Sequence, residues 1–197
     1  MRYTLTLTAF TPAQAERISG IALATQRDYR RRGYLPQNEG HARFNAFDLA
    51  EMLVLNELAA KGIGPKEGLE VSKACAVGIV YNALAHVEAY EGDHLRAYEW
   101  NAVAFPGGIP WAVKADWLRK TLLTQHGYHA APAHLFCWWA DGSKTFEEGI
   151  LVPSDPSGVL DQRWCGPVVV LSLKELGLMM LRRAGVGLVH FELEQSE

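Results

Sequence analysis

The stretch Thr11–Pro36, TPAQAERISGIALATQRDYRRRGYLP, decides how the N-terminal part of the chain is read. Thr11 suits a helix N-cap, Pro12 the first helical position, and Gln14 the reciprocal place of a capping box. Ala15 and Ile18 give this short helix an apolar side, and Ser19-Gly20 break it. A second helix is expected from about Leu23 to Arg32, ended by Gly33 just past three arginines that favour a helix C-terminus. Its Thr25, Gln26, Arg27, Tyr29, Arg30, Arg31 and Arg32 are mostly polar and long enough to reach a partner. A helix that enters the major groove of DNA needs such a slim polar face. Arginine forks onto guanine or clamps phosphate, glutamine reads adenine, and a tyrosine hydroxyl donates to phosphate. The arginine run alone also fits a solvated helix end.

Outward from this stretch the pattern continues. Residues 3–8 alternate and read as a short strand or an extended lead-in. Gln37 to His41 is polar, and Ala42-Arg43-Phe44 reads as an extended return that would bring His41 or Arg43 to phosphate. Asn45 caps a third helix, with Asp48 in its first turn and Ala50, Leu53, Val54 and Leu58 on its core side. Gly62 stops it. Pro65 opens a fourth helix expected to run to about Tyr90, with Gly78 a place where it weakens or bends. Its small residues permit close approach of another helix.

The texture changes at Glu91-Gly92-Asp93. A helix is expected over Ala112–Gln125, with Trp117, Leu118 and Leu122 inward. Strands are expected at His134–Trp139 and Thr145–Val152, joined by the turn signal Asp141-Gly142. Pro153–Pro167 reads as a loop and Val168–Leu171 as a strand. Ser172 and Glu175 open a helix to about Arg183, and Val186–Leu193 alternates as a last strand. The expected fold class is α+β: an all-α winged helix-turn-helix over residues 1–92, then a smaller-sheet α+β domain over 93–197.

Composition sets the outer bounds. The 197 residues carry 49% hydrophobic and 21% charged side chains, values that fit a folded domain and exclude global disorder. No apolar stretch approaches a membrane span, and the alternating N-terminus does not read as a signal peptide. Three scattered cysteines, Cys75, Cys137 and Cys165, form no disulfide framework, so a reducing, cytoplasmic setting is expected, nucleoid-associated if the chain binds DNA. The net charge is −3, yet residues 1–45 hold seven Arg against three acids. A basic head on an acidic protein points to a localised anionic partner.

The ordered set Phe10-Thr11-Pro12-Ala13-Gln14-Ala15, Gly20-Ile21, Arg27-Asp28-Tyr29, Gly33-Tyr34-Leu35-Pro36, Ala42-Arg43-Phe44, Asp48-Leu49 and Lys61-Gly62-Ile63-Gly64-Pro65 resembles the DNA-binding domain of the MerR (mercury-resistance regulator) type. The resemblance covers about residues 3–75. It implies a homodimer on double-stranded DNA, with Arg27 and Tyr29 as recognition-helix contacts, Arg43 as the wing arginine and Lys66 near a second wing. The sequence departs from that pattern at Ala22, where a serine cap is usual, at Gln26, where a core Leu or Ile is common, and at Asp28, which replaces an aromatic. Residues 95–197 do not resemble the coiled-coil helix and metal loop of the metal sensors of that type.

No nucleophile–base pair, phosphate loop or paired carboxylates stand out, so no enzyme, cofactor or metal is expected. His126, His129 and His134 lack a nearby Cys or Glu cluster. Trp111, Trp138, Trp139 and Trp164 are candidates for an aromatic effector pocket, against the alternative of core or dimer packing. The function expected is a homodimeric, sequence-specific transcriptional regulator on a two-fold operator, with RNA polymerase or a phage enzyme as candidate protein partner. The alternatives are a phage-type architectural factor, excisionase-like or terminase-small-subunit-like, and a small-molecule-binding or enzymatic C-terminal half.

Overall fold

The computed structural model describes residues 3–37, 42–92, 111–129, 133–148 and 161–193. Strand β1 (Tyr3–Leu7) leads into helices α1 (Pro12–Ser19), α2 (Leu23–Arg31), α3 (Ala46–Ala59) and α4 (Pro65–Ala83). A 3-10 turn at Val87–Ala89 feeds β2 (Tyr90–Gly92). Then come α5 (Trp111–Gln125), the hairpin β3 (Leu135–Trp139) and β4 (Lys144–Glu147), a 3-10 turn at Gln162–Cys165, β5 (Val168–Ser172), α6 (Leu173–Ala184) and β6 (Val189–Leu193). The class is α+β.

Local chemistry sets most of the helix starts. The Asn45 side chain accepts from the amides of Phe47 and Asp48, and the Asp48 carboxylate accepts from the Asn45 amide at 2.8 Å. The Ser172 hydroxyl accepts from the Glu175 amide, and Gly185, in the left-handed region, closes α6. The hairpin turns on Gly142, also left-handed, as the Asp-Gly pair predicts.

Helix α3 is the centre of the core. Ala46, Phe47, Leu49, Ala50, Met52, Leu53, Val54, Leu55 and Leu58 are all buried, so it is apolar around most of its circumference and covered by neighbours. It packs chiefly on α4, and α4 in turn on α6. The α4–α6 crossing is close because glycine faces backbone: a Cβ on Gly177 would stand 2.5 Å from the Ile79 carbonyl oxygen. Two arginines tie α1 to α6. Arg17 donates to the Ala184 carbonyl at 3.1 Å and Arg183 donates to the Ile18 carbonyl at 3.0 Å. Each guanidinium meets the negative end of the other helix.

Several expectations need correction. The N-terminal segment is not all-α: β1 lies antiparallel to β6, with Leu5 opposite Phe191, and β2 runs parallel to β6 on its other side. The partner strand lies at the far end of the chain, so no local signal announces the pairing. For the same reason residues 1–92 and 93–197 do not have separate cores among the described residues. One buried apolar cluster takes in Leu5, Phe10, Leu53, Ile79, Leu122, Met180 and Phe191. Helix α4 ends at Ala83, not near Tyr90. The Tyr90 hydroxyl donates to the Leu84 carbonyl at 3.0 Å, and Tyr90 itself joins the sheet. Strands β5 and β6 flank α6 but belong to different sheets, β4-β3-β5 and β1-β6-β2. Trp117, expected inward, is 40% exposed and lies over Tyr3 with ring centroids 4.9 Å apart. Strand β4 ends at Glu147; residues 149–160, expected to extend it and begin the loop, lie outside the described residues.

Candidate nucleic-acid interface

Helix α1 begins as its sequence dictates. The Thr11 amide donates to Gln14 Oε1 at 2.8 Å, and the Gln14 amide donates to the Thr11 hydroxyl at 3.3 Å. It ends on Gly20, whose φ of 80° suits glycine alone and whose amide donates to the Glu16 carbonyl. The space is also short there: a Cβ on Gly20 would stand 3.0 Å from Asn56 Nδ2. Buried Ser19 staples the turn, donating to the Ala15 carbonyl at 2.7 Å and accepting from the Ile21 amide at 3.2 Å.

The rotation of α2 about its own axis is set by Gln26. That residue is 2% exposed, and its Nε2 donates to the carbonyls of Pro12 at 3.1 Å and Ile21 at 2.8 Å. Gln26 is therefore not available to read a base, which corrects its place among the expected contacts. Once it points inward, the 3.6-residue repeat turns Ala24, Arg27, Asp28 and Arg31 outward. Arg27 is exposed, and its side chain makes no ion pair or hydrogen bond among the described residues. Thr25 is half-buried. Arg31 Nη2 lies 2.5 Å and Arg32 Nε 2.8 Å from the two Asp28 carboxylate oxygens. The hydrogen bond from Arg31 holds the Asp28 carboxyl below its usual range.

The other expected contacts divide. Tyr29 is half-buried with its ring edge against Tyr34 at 5.8 Å, and burial pushes its phenol up, so it stays neutral. Arg30 is half-buried, its Nε enclosed without a partner among the described residues, and its carbonyl accepts from Gln37 at 2.8 Å. Phe10 and Phe44 exchange both backbone hydrogen bonds, at 2.8 and 2.9 Å, in an isolated antiparallel bridge. This bridge returns the chain to α1 and places exposed Arg43 next to it. Lys66 is exposed in the first turn of α4. His41 lies outside the described residues.

The four tryptophans do not converge on one pocket. Trp138 and Trp139 are neighbours on β3 and so project to opposite faces. Trp139 is buried, donates to the Thr145 hydroxyl at 3.0 Å and meets Trp164 edge-on at 5.1 Å. Trp138 carries Lys144 over its ring at 4.3 Å. Trp111 donates to the Ala85 carbonyl at 2.8 Å, beside Tyr90. Cys75 is fully buried and burial pushes its thiol up to about 12, so it stays protonated at neutral pH. Among the described residues no group of three or more His, Cys, Asp or Glu stands together as a metal site.

A cleft of about 620 Å³ lies elsewhere, between the start of β2 and the end of α6. His86, Glu88, Glu91, Leu178, Arg182 and Val186 are among its walls. Sequence reasoning missed it because its two walls are some ninety residues apart in the chain. The glycines at 185 and 187 are the only local hint. Gly187 approaches Glu91 so closely that its amide donates to the Glu91 carboxylate at 2.7 Å. No family model matches the chain, and neither a curated protein nor a solved structure matches it.

Proposed function

We propose that this chain is a sequence-specific DNA-binding transcriptional regulator that uses α2 as its groove-entering helix and acts as a homodimer on a two-fold operator. The observation that carries the reading is the locked rotation of α2. Buried Gln26 fixes the helix to the Pro12 and Ile21 carbonyls and leaves a slim outer face of Ala24, Asp28 and Arg31, flanked by Arg27 on one side and by Thr25 and Arg32 on the other. The helix carries four arginines against one aspartate, counting Arg32 at its end. Such a surface suits the major groove sterically and the phosphate backbone electrostatically.

The surroundings of α2 support the same reading. Helix α1, the tight turn at Gly20 and α2 follow in the order of a helix-turn-helix. The Phe10–Phe44 bridge is compatible with the return strand of a wing, and exposed Arg43 stands beside it. The N-terminus of α2 has no side-chain cap, so its first amides are open to a phosphate oxygen. A dimer follows from energetics: one short module makes few contacts, and two half-sites supply the affinity.

The test is retention of sheared genomic DNA by the purified protein, with sequencing of what is retained, beside the variant Arg27→Ala/Arg31→Ala. Retention of a few inverted-symmetry sites, lost in the variant, is the expected result. Uniform, salt-sensitive retention would assign an architectural role instead, because backbone contacts alone give no sequence preference. No retention at low salt would sink the reading. The cleft beside Arg182 favours a second role, small-molecule binding between β2 and α6, which a thermal-shift screen of metabolites would reveal.

A further inference from the structure

The face that α2 turns outward has a carboxylate at its middle. With Gln26 inward and about 100° of rotation per residue, Ala24 and Asp28 stand about 160° from Gln26, and Arg31 about 140°. The outermost line of the helix is therefore Ala24, Asp28 and Arg31, with Arg27 on one flank and Thr25 and Arg32 on the other. A carboxylate pressed toward a polyanion costs affinity, so its position calls for a compensating contact. Two are available. Asp28 already binds two exposed guanidiniums, Arg31 at 2.5 Å and Arg32 at 2.8 Å, with Arg31 77% and Arg32 58% exposed. The major groove also offers amino donors, and the exocyclic amine of cytosine is the one that a carboxylate oxygen suits.

We propose that Asp28 is the specificity-determining residue of α2: it accepts from a cytosine amino group and holds Arg31 and Arg32 back from indiscriminate phosphate contact. This rests on the reading of α2 as the DNA-contacting helix. Each ion pair gives its arginine a second choice besides phosphate. On an unrelated sequence the arginines stay with Asp28 and binding is weak. On the right sequence the carboxylate gains a base donor, and the three side chains act together. A helix of the same shape without Asp28 would bind more DNA and discriminate less.

The test selects wild-type, Asp28→Ala, Asp28→Asn and Arg27→Ala proteins against a pool of random-sequence duplexes. Binding to the winning duplex and to an unrelated one is then measured over a salt series. Asp28→Ala is expected to tighten binding to the unrelated duplex and steepen its log–log salt slope by roughly 0.9 for each arginine released to phosphate. It is expected to cut the preference for the winning duplex roughly tenfold and erase a cytosine preference at one position per half-site. Asp28→Asn keeps an acceptor oxygen and drops the charge, so it gains on unrelated DNA while retaining part of that preference. An unchanged discrimination ratio and base preference in Asp28→Ala, with Arg27→Ala still weakened, overturns this inference and leaves the DNA reading standing. If wild type binds no duplex, or Arg27→Ala binds as wild type does, the DNA reading fails and the inference falls with it.

Discussion

At the residue scale, Gln26 shows how a polar side chain serves as an anchor. Replacing it by alanine leaves the Pro12 and Ile21 carbonyls without their donor and opens a hole between α1 and α2. Loss of the hydrogen bonds and the cavity together should cost about 2–3 kcal/mol, read as a lower urea midpoint. Glu51 on α3 gives a pH prediction. Burial, then the neighbouring Asp48, raise its carboxyl to about 7, against the opposing pull of Lys73; Glu70 adds to the rise. The folded state therefore holds a proton that the unfolded chain releases near 4.5, the ordinary glutamate value. Stability from this group is full below about pH 4.5 and falls as pH rises toward about 7. Glu51→Gln should stabilise the protein on the order of 2 kcal/mol above about pH 8, after discounting for partial exposure, with no gain below about pH 4. Urea unfolding of both proteins at the two pH values checks it. Little of this was legible in the sequence. The basic surface of α2 was, because charge is read directly. The burial of Gln26 was legible only in part, from the resemblance that puts a core Leu or Ile there; the two carbonyls that fix it are brought to it only by the folded turn.

At the scale of elements, two glycines on packed helices should respond in opposite ways to the same substitution. Gly177→Ala on α6 places a methyl 2.5 Å from the Ile79 carbonyl oxygen and 2.9 Å from the Ala83 nitrogen, both backbone of α4. Helix propensity gains about 1 kcal/mol, but backbone cannot step aside, and α4 and α6 must separate. The net should be a loss of about 2 kcal/mol. Gly68→Ala on α4 meets the end of a flexible side chain, Leu58 Cδ1 at 3.0 Å, so it should be neutral or slightly stabilising. Thermal unfolding of the two variants separates the cases. Helix starts were legible because caps are local: Thr11 with Gln14, Asn45 with Asp48, and Ser172 with Glu175 lie within one turn. The end of α4 was not, because the apolar spacing runs on to Val87 while the tie that stops the helix comes from Tyr90 and its strand partner.

At the scale of the whole molecule, strand β1, the α4–α6 crossing and the exchanged Arg17 and Arg183 bonds join the two halves of the chain. The six tryptophans all lie beyond residue 99, whereas helices α1 to α4 lie before residue 84. Tryptophan fluorescence therefore reports on the second half, and far-UV circular dichroism chiefly on the first, which holds most of the helix. Their urea transitions should coincide, and a fragment of residues 1–92 should show no cooperative transition, since it lacks β6 and α6. Two separated transitions would show two independent units. The sequence by itself determined the helix starts, the hairpin turn, the α+β class and a basic α2, because caps, turn glycines and charges act over a few residues. Only the tertiary structure decided which strands pair, where α4 stops, which way α2 faces and that Asp28 stands at the middle of its outer face. Those outcomes depend on contacts between residues far apart in the chain, and the energy of such contacts is not written in any one stretch of it.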